Sequence, residues 1–193
     1  IFHLLFLKQT IQNTWRRFML KELMISSMLS FTASASADTV PTKQQFMIDE
    51  AFCLAQNVYF EARNQPLAGQ MAVISVTVNR VNDSRFPNTI CGVVYQGPHR
   101  PSWKDETVMI PVRHRCQFSW YCDGLSDRIH DLTTFDTILS LTSGVVDGSF
   151  TIADITEGAT HYHADYVEPA WAKTKTKTIE IEDHIFYRWE IQE

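Results

Sequence analysis

Residues 42–63 constrain this chain more than any other stretch. Met47, Ala51, Leu54, Ala55, Val58 and Ala62 fall at i, i+4, i+7, i+8, i+11 and i+15, laying one apolar stripe along a helix. Thr42 followed by Gln45 marks its start as a capping box, and Asn64-Gln65-Pro66 ends it. Such a helix draws most of its stability from packing its stripe against other elements, so partners are required. Pro66 suits the first turn of a second helix running to about Val81. Its apolar positions are Met71, Ala72, Val76, Val78 and Val81, and Gly69 permits close packing. A third helix is predicted over 134–146, led by Phe135, Ile138 and Leu139. Residues 82–89 read as a loop, and 97–115, with Pro98, Pro101 and Pro111, as a long polar excursion. Residues 178–189 alternate through Ile179, Ile181, Ile185, Tyr187 and Trp189, the pattern of a strand or hairpin. Helices first and strands late predict an α+β domain rather than an alternating α/β one.

The formal net charge of −5 is unevenly placed. Residues 1–37 hold four basic residues and one acid, whereas 38–193 hold thirteen basic against twenty-one acidic. An acidic body argues against a protein that tracks nucleic-acid phosphates. The expected start is Met19, followed by Lys21 and then fifteen uncharged residues, 23–37, ending in Ala35-Ser36-Ala37. That small-x-small ending is a cleavage signature, so 1–37 read as a signal segment and the mature chain as starting near Asp38. A transmembrane helix needs about 20 apolar residues, and this run is shorter and rich in serine. Export is expected, with no stable membrane span.

The cysteines point the same way. Cys53, Cys91, Cys116 and Cys122 are an even set, which in an exported chain reads as two disulfides. Three pairings exist. Cys116 and Cys122 lie close enough to close a small loop, leaving Cys53 with Cys91 as the expected second bridge. No C-x2-C pair supports a zinc site.

Three constellations carry chemistry. Glu61, in Tyr59-Phe60-Glu61-Ala62-Arg63, borders the buried stripe near the end of its helix. A carboxyl group among aromatics loses solvation in its charged form and its pKa rises, which suits a general acid near neutral pH. The competing reading is an exposed glutamate paired with a base. Gln117-Phe118-Ser119-Trp120-Tyr121 sits between two cysteines. A rigid loop there would offer rings and short polar groups to a sugar, or would simply pack inward. His161-Tyr162-His163, with Asp165, Glu168 and His184 nearby, offers metal-type spacing or a polar cleft lining. In an extended segment His161 and His163 share one face and Tyr162 takes the other.

Taken together, residues 53–96, CQFSWYCDG at 116–124, GATHYHADYVEPAW at 158–171 and DHIFYR at 183–188 strongly resemble the SleB/CwlJ-type cell-wall hydrolase family, in the right order. The resemblance implies a lysozyme-like single catalytic domain that cleaves peptidoglycan glycan strands without a cofactor. It implies that the catalytic acid is Glu61 and that Gln117, Ser119, His161 and Tyr162 line the substrate cleft, to which the aromatic loop adds Trp120 as a candidate sugar contact. Two departures stand out. Residues 97–115 are longer than the joint expected there, and Glu182-Asp183 replaces a glycine-rich turn.

Glu61 would then protonate the glycosidic oxygen. A second carboxylate would make the enzyme an ordinary hydrolase, and Asp123 and Asp165 are the candidates. Without one, the substrate's own hydroxyl attacks and an anhydro-sugar forms, as in lytic transglycosylation. Two rivals remain: a metal-dependent cell-wall peptidase or amidase using His161, His163 and His184, and a non-catalytic glycan-binding module. The expected partner is peptidoglycan, and the chain is expected to be a monomer.

Overall fold

The computed structural model describes residues 41–190, the part of the chain treated below. The signal segment read at 1–37, Met19 and Asp38 lie outside the described residues.

Helix α1 spans Lys43–Ala62. Thr42 caps it, its hydroxyl accepting from the Gln45 amide at 3.1 Å. The reciprocal half of the capping box is absent, because Gln45 instead donates its side-chain amide to Asp49, one turn on. The stripe from Ala51 to Ala62 is buried as expected. Helix α2 spans Leu67–Asn82 and follows Pro66. Its buried side is wider than the sequence pattern predicts, with Val73, Ile74, Ser75 and Thr77 buried and Met71, Val78 and Val81 only partly so. The reason is that α2 is covered twice. Val73 and Ile74 pack with α1, while Ala72 and Val76 pack with the sheet beside Phe186. A helix covered on two sides shows no single stripe.

A short helix α3, Ile90–Val94, is capped by Thr89 and was not anticipated. Buried Glu50 on α1 accepts from the Ile90 and Cys91 amides at 2.5 and 3.2 Å, satisfying orphan donors at its start. The disulfide Cys53–Cys91 ties α1 to α3 at the same point, and Cys116–Cys122 closes the later loop. Helix α4, Leu132–Asp147, is capped by Asp131 and ends at Gly148, whose φ of 79° lies in the left-handed region open to glycine. Phe135 and Ile138 bury its inner face against α1.

The excursion at 97–115 is a two-stranded antiparallel hairpin, β1 (His99–Pro101) with β2 (Met109–Pro111). The late strands form a three-stranded antiparallel sheet in the order β3-β5-β4, with β3 at His161–Ala164, β4 at Thr176–Ile181 and β5 at His184–Arg188. Helices thus precede small antiparallel sheets, an α+β arrangement. In β5 the core residue is Phe186, one position out of phase with the Ile185-Tyr187 alternation. β5 is central and covered on both faces, so its apolar residues do not alternate cleanly. The β4–β5 hairpin forms without glycine, because Glu182 itself adopts a φ of 50°.

Candidate active site

Glu61 sits in the last turn of α1, and Tyr162 sits in the middle of β3. Antiparallel pairing places Tyr162 opposite Phe186, on the face turned toward α2, whereas His161 and His163 pair with Tyr187 and Ile185 on the outer face. Tyr162 therefore packs at the junction of the three apolar clusters. From there its hydroxyl donates to Glu61 Oε2 at 2.8 Å.

Burial raises the pKa of Glu61, while the Tyr162 hydrogen bond and the positive charge of Arg80 oppose the rise. Tyr162 is itself pushed well above the usual phenol range by burial, then by Glu61. Arg80, 4% exposed, continues the Ala72–Val76 row of α2 by one turn. Its guanidinium lies 4.9 Å from the Phe118 ring centre and 5.4 Å from that of Phe86, and its Nε donates to the Thr160 carbonyl at 2.7 Å. Desolvation lowers its pKa to about 10. Its Nη1 is buried with no partner among the described residues. The sequence reading missed Arg80. An arginine four residues after Val76 and eight after Ala72, on a row otherwise apolar, was the available signal.

These groups line an open cleft of about 500 Å³. Glu61, Gln117, Ser119, Trp120 and Tyr162 all border it, and so does Asp123. Asp165 does not; it stands at the end of β3, its amide donating to the Asp183 carbonyl. Trp120 offers little of its ring, being 7% exposed and stacked on Phe60 at 4.7 Å. Its indole N–H donates to Asn57 Oδ1 at 3.0 Å, and Asn57 donates to Thr77 Oγ1 at 3.2 Å. This buried relay fixes the cleft wall from beneath. Phe118 is buried too, so the aromatic loop packs inward more than it displays itself. A neighbouring depression of about 580 Å³ shares Phe60, Trp120 and Asp123, so the two hollows adjoin at these residues.

His161 is not among the residues lining the cleft. It lies among Trp171, Trp189 and Phe86, at ring distances of 5.4 to 6.1 Å, and burial followed by nearby cations lowers its pKa to about 3. His163 Nε2 lies 3.0 Å from the Tyr187 hydroxyl. His184 pairs opposite Ala164 on the Tyr162 face. Of the three histidines considered as metal ligands, His163 and His184 border the cleft and His161 does not. Among the described residues no three His, Cys, Asp or Glu side chains converge as a metal-binding group.

The arrangement provides one desolvated carboxyl group in a groove, oriented by a tyrosine and faced by an unsaturated arginine donor. A proton held there is available to a bound oxygen. None of the described helices is long and apolar enough to cross a membrane.

Comparison with known proteins agrees with this architecture. The chain is 29% identical over 134 residues to the spore cortex-lytic enzyme of Halalkalibacterium halodurans, covering 69% of this chain and 33% of that protein. It is 49% identical over 43 residues to the spore cortex-lytic enzyme of Bacillus subtilis, covering 22% of this chain and 14% of that one. It therefore spans a third or less of the length of these relatives. Among solved structures, the catalytic domain of the germination-specific lytic transglycosylase SleB from Bacillus anthracis superimposes with a TM-score of 0.50 at 26% identity, covering 77% of this chain and 100% of that one. The cell wall hydrolase family model matches residues 64–187, beginning three residues after Glu61. With more than half of its length matched by that model, the chain belongs to the cell wall hydrolase family.

Proposed function

We propose that this protein cleaves the glycan strands of peptidoglycan, with Glu61 as the general acid. The observation that carries the reading is the Glu61 carboxyl group, desolvated in an open groove and held by Tyr162. The name of the Bacillus anthracis neighbour, a lytic transglycosylase, is in keeping with it. Glu61 donates its proton to the glycosidic oxygen as the bond from that oxygen to the sugar carbon breaks. The oxocarbenium-like sugar that remains is attacked by its own hydroxyl, whose proton returns to the Glu61 carboxylate, leaving an anhydro-sugar end. Gln117, Ser119 and the Trp120 edge line the groove where the sugars lie.

A second reading rests on Asp123, which borders the same groove and is oriented by the Leu125 amide at 2.7 Å. There it would activate a water, and the product would be a reducing end. Mass spectrometry of purified peptidoglycan after digestion separates these outcomes. Anhydro ends support transglycosylation, and ends heavier by one water support hydrolysis through Asp123. Cleavage confined to peptide or amide bonds would contradict glycan cleavage altogether.

Export belongs to the same proposal. Residues 1–37 act as a signal and 38–193 as the catalytic domain, delivered as a monomer to peptidoglycan outside the cytoplasm. N-terminal sequencing of the exported protein checks this, the expected new terminus lying at or near Asp38. A terminus at Met19 would refute cleavage.

A further inference from the structure

The hairpin at 97–115 has no part in the chemistry above and lines neither hollow, yet it is fastened to the loop that borders the cleft. Its base is joined to the cleft loop by three contacts. The Gln117 amide donates to the Gln96 carbonyl at 2.9 Å, the His114 amide to the Cys122 carbonyl at 2.9 Å, and His99 Nε2 lies 3.1 Å from the Tyr121 hydroxyl. Two further backbone bonds of 2.8 Å, Val112 to Pro98 and Ser102 to Val108, close it along its length. Pro98, Pro101 and Pro111 limit its backbone freedom. At its tip Trp103 is 80% exposed, with Val108 and Met109 also exposed beside it.

A tryptophan held in water on a stiff arm is a ready binding surface, since rigid aromatic area is gained at low entropic cost. The charge of the arm narrows the partner. Residues 97–115 carry four Arg or Lys against two acids, whereas the rest of 38–193 carries nine against nineteen. A basic arm on an acidic body offers local attraction to an anionic polymer that the body as a whole repels. Asp105 and Glu106, adjoining Trp103 and Lys104, oppose immersion of this tip in a bilayer. A sugar ring with an apolar face, on a strand bearing carboxylates, satisfies both the tryptophan and the charge.

We propose that the 97–115 hairpin is a second glycan-binding element, in which Trp103 stacks on a sugar of the peptidoglycan strand outside the catalytic groove while Arg100 and Lys104 meet its carboxylates. This rests on the reading of the groove as a glycan site. The test is a binding measurement that needs no turnover. The full chain carrying Glu61→Gln is titrated onto purified sacculi, alone and combined with Trp103→Ala or Trp103→Phe. Trp103→Ala is expected to raise the Kd about fivefold, within the range of aromatic stacking energies. Trp103→Phe should restore most of the loss, and Arg100→Ala with Lys104→Ala should weaken binding more at low salt than at high. Equal binding of the Trp103→Ala chain would overturn the proposal while leaving the groove intact. Trp103-dependent binding to phosphatidylglycerol vesicles, with sacculus binding unaffected, would overturn it in favour of a membrane surface. Failure of the Glu61→Gln chain to bind sacculi at all would remove the glycan reading itself, and this inference with it.

Discussion

At the scale of single residues, the site is a contest over one proton. Burial holds it on Glu61, while Tyr162 and Arg80 favour its loss. A general acid works in its protonated form, so activity should fall as pH rises through the raised pKa of Glu61. Tyr162→Phe deletes a hydrogen bond that favours the ionised carboxylate, so the pKa should rise further. The declining limb of the pH–rate profile is expected to move to higher pH, with a stability loss of about 1 kcal/mol for the missing bond. A limb displaced to lower pH would contradict the account. The helix pattern alone allowed Glu61 to be an ordinary exposed glutamate at the border of the stripe; the family resemblance singled it out, and its desolvation shows only once β3 and α2 are folded against it. Arg80 and the Asn57–Thr77 relay were not legible in the sequence, because their significance lies in partners 80 and 20 residues away.

At the scale of elements, the disulfides and one turn give the sharpest expectations. Cys53–Cys91 closes a loop of 38 residues between α1 and α3. In the chain-entropy description, removing it with Cys53→Ala and Cys91→Ala should cost about 4 kcal/mol. Chemical denaturation measures this directly, and a loss under about 1 kcal/mol would show that the helix contacts suffice. Glu182 occupies left-handed backbone that costs a residue with a side chain about 1–2 kcal/mol. Glu182→Gly is therefore expected to raise stability by about 0.5–1 kcal/mol after the greater freedom of glycine in the unfolded chain is counted. A fall in melting temperature would contradict that. The three long helices were readable in place and extent, although only the first showed both a cap and a clean stripe in the sequence. The phase of β5 was not, because a central strand is covered on both faces, and α3 was too short to show a period.

At the scale of the whole molecule, the order of elements sets a helical layer with Glu61 at its edge against a small sheet that brings Tyr162 to it. Residues 101 positions apart meet across that seam. The family resemblance in the sequence anticipated Gln117, Ser119 and Tyr162 in the cleft, which the alternation of a single strand could not have located. It placed His161 there as well, whereas that ring packs among Phe86, Trp171 and Trp189 and does not border the cleft. The central claim is that Glu61 supplies the proton for glycan cleavage. The most direct test is turbidity loss of purified sacculi with the wild-type chain and with Glu61→Gln, with circular dichroism confirming the fold. The substitution nearly preserves volume and removes the transferable proton, so a loss of at least about 100-fold is expected. A folded Glu61→Gln chain that retains more than about a tenth of the wild-type rate would contradict the assignment.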